Sequence, residues 1–181
     1  MQLWLCPKDP KTGAPISQSD GPAPHPFTGF YIMYPDEDRN PPQRGMVSTI
    51  SVDPPMLNWL YVDKDTLEVK HGNRSGSIKH IVGPWDWTKD EKGVTLQGEE
   101  LFVAVEEKEP VDGLKWRVFF DKDDNFLNNR KMVGGKTVLQ ISLDRRILPE
   151  ELIKQQEQEQ NQKMQIKSEG AMGSKWGAKS V

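Results

Sequence analysis

From Met46 onward, apolar residues recur at every second position in short runs, and turn residues separate the runs. This period of two marks strands with one buried face. Met46, Ile50 and Val52 share a face across Met46–Asp53, with Ser48 between them, and Asp53-Pro54-Pro55 ends the run. Trp59 and Tyr61 then alternate with Leu60 and Val62. Asp63-Lys64-Asp65 follows as a turn, and Leu67 and Val69 alternate with Glu68 and Lys70, which predicts a hairpin. A polar loop, GNRSGS, separates this hairpin from the apolar stretch His80–Trp87, which Gly83-Pro84 must bend. After a turn at Lys89–Gly93 comes the short run Val94–Leu96. Leu101, Val103 and Val105 lie on one face of the next strand, and Phe102, Ala104 and Glu106 on the other. A turn at Pro110–Gly113, the alternation of Leu114, Trp116, Val118 and Phe120, an acidic loop at Asp121–Asn125 and the alternating Leu139, Ile141 and Leu143 complete the pattern.

About seven strands at hairpin spacing predict a mainly β fold, an antiparallel meander closing into a small barrel or sandwich. No helical period lies between the strands, which argues against a βαβ arrangement.

The two ends differ from this middle. Nine prolines fall between Pro7 and Pro42, and they exclude long helices. Within that stretch Phe27, Phe30, Tyr31, Ile32, Met33 and Tyr34 form an aromatic cluster that reads as a pinned strand. Beyond Arg146, Pro149 with Glu150 and Glu151 behind it is a helix start, and KQQEQEQNQK carries no apolar stripe. The expected organisation is a loose proline-rich arm (1–26), a β domain (27–148), and a short polar C-terminal helix with a flexible tail (149–181). No internal repeat emerges.

Composition narrows the function classes. Hydrophobic residues make up 35% of the 181, enough for one core. The net charge is −3, and no basic run marks a nucleic-acid binder. No stretch approaches the length of a membrane helix, roughly 18 apolar residues or more. The start, MQLWLCPKDP, lacks the apolar region of a secretory signal, and Cys6 has no partner for an internal disulfide. The expected compartment is cytoplasmic or nuclear, with no nucleic-acid or membrane partner. The sequon Asn73-Arg74-Ser75 then has no glycan to accept.

Several groups invite a chemical reading. Asp121, Asp123 and Asn125 sit at the first three ligand positions of a calcium loop. Phe126 stands where such a loop needs glycine, and Met132 where it needs glutamate, so an exposed acidic turn is the better reading. His25, His71, His80 and Cys6 lack zinc spacing, and no metal or cofactor is expected. His71, His80 and Asp86 are the candidates for acid–base catalysis, because a histidine near neutral pKa can move protons while a carboxylate orients it. Against this stands the common surface histidine at a strand end. Tryptophan is the more informative residue. Trp85-Asp86-Trp87 puts two indoles on one face if extended, and Trp59, Tyr61 and Arg74 lie nearby in sequence. Indoles fill small β cores, and they also line ligand pockets and partner surfaces.

The run DPPMLNWLYVDKDTLEVKHGNRSGSIKHIVGPWDWT, with HPFTGF and NPPQRGM upstream, resembles a family of uncharacterised proteins from filamentous fungi. The resemblance covers most of residues 5–146 and rests on the GNRS and GPWDWT stretches. It implies an intracellular fungal origin and attaches no activity.

The first functional expectation is a non-catalytic binding or adaptor protein. Its sites would be Trp85, Trp87, Trp59, Tyr61 and Arg74, and its partner a small hydrophobic ligand or a protein. The second is a small metal-independent β-barrel enzyme of isomerase, cyclase or hydrolase type acting on a hydrophobic metabolite through His71, His80 and Asp86. The third is a structural subunit of a larger assembly.

Overall fold

The computed structural model describes residues 1–21, 24, 26–52, 55–128 and 133–147. His25, Met132 and the expected helix and tail at 149–181 lie outside the described residues. Among the described residues ten strands run antiparallel: β1 (Trp4–Leu5), β2 (Gly29–Met33), β3 (Arg44–Val52), β4 (Pro55–Val62), β5 (Val69–Gly72), β6 (Trp85–Trp87), β7 (Val94–Leu96), β8 (Phe102–Val111), β9 (Leu114–Phe120) and β10 (Val138–Ile141). One helical turn, α1 (Arg74–Ser77), sits in the polar GNRSGS loop, where the Asn73 side chain accepts from the Gly76 amide and caps it.

The mainly β, antiparallel expectation holds, but the strands do not form one continuous meander and do not close into a barrel. The strands form three sheets, ordered β2-β3-β4-β5, β1-β9-β8-β10 and β6-β7. Only the first is a meander. In the second, β10 returns to β8 and the N-terminal β1 adds beside β9, with Trp4 opposite Arg117. Single bridges join the sheets without closing a barrel: Glu68 to Phe119, Gln2 to Lys70 and Gly93 to Asp144. Thus the first residues, read as part of an arm, include a strand. The ammonium of Met1 also donates to the His71 carbonyl at 2.6 Å.

The first sheet is apolar on both faces, as cross-strand pairing shows. Met46 lies opposite Leu60, and both enter the main core with Trp85, Phe102, Phe119 and Phe120. One residue along, Val47 lies opposite Trp59, and these join Tyr34, Tyr61 and Val82 in a second core on the other side. Gly45 makes the second core possible. A Cβ there would stand 2.5 Å from the Trp59 ring, so the indole lies flat over β3 only because no side chain intervenes. The same two-sided covering reaches β8. Phe102 and Ala104, expected opposite the buried face, are buried together with Val103 and Val105. The turn from β8 to β9 holds Asp112 and Gly113 at φ of 50° and 77°, the left-handed pair that a tight hairpin requires.

Candidate functional site

The GPWDWT segment is built onto β3. A Cβ on Gly83 would collide with the carbonyl oxygen of Arg44, so glycine is what lets the chain approach that strand. The approach fixes three consecutive side chains. Trp85 is fully buried, stacks against Phe102 at 6.1 Å, and donates its indole N–H to the Leu60 carbonyl at 3.2 Å. Asp86 accepts from the Arg44 guanidinium at 2.8 Å. Trp87, two residues after Trp85 and on the same face, reaches the rim.

Three side chains from other elements gather around Trp87. Tyr31 of β2 meets it edge-on with ring centroids 5.3 Å apart. The guanidinium carbons of Arg44 and Arg145 lie 5.2 and 4.9 Å from the indole centroid, within cation–π range. Arg145 is held there by backbone pairing: its amide donates to the Lys92 carbonyl, and its side chain donates to the Glu91 carbonyl at 3.2 Å. Burial pushes the Tyr31 phenol above its usual pKa, with the charges of Arg145, Asp86 and Arg44 adding smaller effects of both signs. The phenol therefore remains a neutral donor at neutral pH.

The sequence-chosen binding residues divide between two places. Trp85 has no surface to offer and is a core residue. Trp59 is buried edge-on against Tyr34 at 4.7 Å, and Tyr61 is buried and stacked on His80 at 5.1 Å. Arg74 donates to the Pro35 carbonyl at 2.7 Å, and its own carbonyl accepts from Tyr34. These three belong to the outer side of the first sheet. Trp87, half-buried, is the one indole of the set that reaches the surface with charged side chains around it. Tyr31, Arg44 and Arg145 were missed as its partners. The aromatic cluster at 27–34 signalled Tyr31, but nothing in the local sequence joins Arg145 to it.

The catalytic candidates are not brought together by any hydrogen bond or ion pair among the described residues. His80 accepts from the Lys64 amide at 3.3 Å and has Asp63, not Asp86, 4.0 Å away. His71 keeps its Nδ1 buried without a partner, and burial, then the charge of the nearby N-terminus, lowers its pKa. Asp86 is committed to Arg44. Two surface depressions bear on the enzyme reading. One holds about 10 Å³ beside Phe102 and Phe126; the other, about 320 Å³, is lined by Glu106, Glu107, Lys115 and Lys136 among others, and neither includes a histidine.

The acidic turn is satisfied by its own backbone. Asp121 is buried and accepts from the amides of Phe126 and Leu127, while Asn125 accepts from the Asn128 amide. Among the described residues no three His, Cys, Asp or Glu side chains are grouped to hold a metal ion. Nor is any helix there long and apolar enough to cross a membrane.

No curated protein and no solved structure matched the chain. A family model described as a fungal beta-trefoil domain matches residues 1–149 and so includes β1 as well as the β-rich middle. With sheets, cores and rim in view, the chain belongs to the fungal beta-trefoil domain family.

Proposed function

We propose that this protein is a non-catalytic binding module whose recognition surface is the rim around Trp87. The carrying observation is the gathering of Tyr31, Arg44 and Arg145, from separate segments of the chain, around one half-buried indole. Aromatic and arginine side chains at a partly desolvated rim are what binding surfaces concentrate. Beta-trefoil domains often mediate binding of carbohydrate or protein, which agrees with this reading. The separation of His71, His80 and Asp86 from one another counts against the enzyme reading.

The test is native mass spectrometry of the protein purified from its own host, with wild type beside Trp87→Ala. A bound species on the wild type, absent from a folded Trp87→Ala protein, is expected. Retention of that species by Trp87→Ala would defeat the proposal. Trp85→Ala serves as the folding control. It removes an indole from the main core and is expected to lower stability by about 3–5 kcal/mol in urea unfolding.

A further inference from the structure

Trp87 does not present a bare ring. Two guanidiniums and the edge of Tyr31 already stand against it, so a neutral sugar has little free face on which to stack. The rim offers guanidinium donors instead, each facing one carboxylate of the fold: Arg44 with Asp86 at 2.8 Å and Arg145 with Glu91 at 3.4 Å. The Arg44 side chain is 41% exposed even while paired with Asp86. Guanidinium groups match carboxylates in shape and charge.

Next to these donors lies an open strand edge. Among the described residues β2 ends its sheet, with β3 as its one neighbour. The Tyr34 amide donates to Gln43, which makes that pair a hydrogen-bonded one. By the alternation of an antiparallel ladder, the backbone groups of Gly29, Tyr31 and Met33 then point away from β3. Phe30 and Met33 are among the exposed large apolar side chains. An edge with free amides and carbonyls is a template for another strand. A strand added there would place alternate side chains on the face of Tyr31, beside Trp87 and the two arginines.

We propose that the β2 edge, with Arg44 and Arg145, receives an extended peptide of a partner protein whose carboxylates lie against the two guanidiniums. This rests on the binding reading above and names its ligand. Backbone pairing favours a peptide over an acidic polysaccharide, which has no strand to add.

The experiment titrates ¹⁵N-labelled full chain with end-capped peptides alternating valine with glutamate, valine with glutamine, and valine with lysine, and with polygalacturonate. The glutamate peptide is expected to shift the amides of Gly29, Tyr31 and Met33 and the Trp87 indole N–H. It should bind about tenfold tighter than the glutamine peptide, and the advantage should shrink in high salt. The double variant R44Q/R145Q should abolish the preference while still shifting the β2 amides. Equal binding of the glutamate and glutamine peptides, or binding that leaves the β2 amides unmoved, overturns the inference. So does a Trp87 response to polygalacturonate alone. If the host species depends on Trp87 but the glutamate peptide fails, the peptide inference falls and the binding module stands. If the host species ignores Trp87, the module itself falls.

Discussion

Two charged regions of this molecule use arginine in opposite ways. At the joint between the two large sheets, six side chains alternate in sign: Asp63, Lys70, Glu68, Arg117, Glu107 and Lys136. Glu68 is buried, Arg117 is 15% exposed, and every charge in the series faces an opposite one. At the rim, Arg44 and Arg145 lie over an indole, and the carboxylates beside them, Asp86 and Glu91, are 47% and 64% exposed. The joint has its charges neutralised within the fold and holds strands together. The rim arginines are paired as well, but with carboxylates that water reaches, and it is these open pairs that the proposed partner would displace. Charge alone does not mark a binding surface; what differs between the two regions is how far the pairing carboxylates are open to water.

The sharpest way to break this comparison is at Arg117. Its removal leaves buried Glu68 with Lys70 alone, 3.5 Å away, so Arg117→Ala is expected to cost about 3 kcal/mol in chemical denaturation, the low end for a broken buried pair. A loss as small as that of a surface pair would mean that the joint is no more structural than the rim.

Acid should act on the joint next. Burial alone would raise the pKa of Asp63, but the Lys70 ammonium and the amides of Asp65 and Thr66 outweigh it and hold the carboxyl at about 2. Glu107 is likewise held below its usual range, Lys136 and Arg117 outweighing its burial. For carboxyls whose folded pKa is depressed, the stabilisation is complete above the unfolded value and is lost as pH falls toward the folded one. For Asp63 that window runs from 3.8 down to about 2. Urea midpoints should therefore fall across this range, and Lys70→Met should flatten the fall. A Lys70→Met profile parallel to wild type would remove Lys70 as the cause.

Gly45→Ala probes the ring seat rather than the charges. Its Cβ would press on Trp59, and a loss of about 1–3 kcal/mol is expected, with altered near-ultraviolet circular dichroism. The smallest effect belongs to the rim. Arg44→Ala should change stability by less than about 1 kcal/mol and should do so less in high salt. A larger loss would recast the rim as structure.

The strands were legible because their cause is local. Alternation in 101–105 and 114–120 reports the pleat directly, and β8 and β9 lie there. What alternation could not report was covering on both sides. It gave Phe102 and Ala104 to the face opposite Val103, yet all are buried, because a strand through the centre has protein on each face. The same blindness hid which indole of GPWDWT reaches the surface. Two residues on one face share a direction but not a depth, and depth is set by the distant Phe102, Leu60 and Tyr31. The N-terminal strand was missed because two residues are too few to show a period, and only pairing with Arg117 and Trp116 defines them.

The close approach of Gly83 to Arg44 ties two distant stretches of sequence into a single heritable unit. Any side chain at Gly83 would wedge GPWDWT away from RGM, and with it Asp86 from Arg44 and Trp87 from its cations. In diverging relatives these two segments should be kept or lost together. For the same reason the rim cannot be transplanted as a single loop. A graft onto another scaffold would need both segments, held at backbone contact, before the indole acquired its guanidiniums.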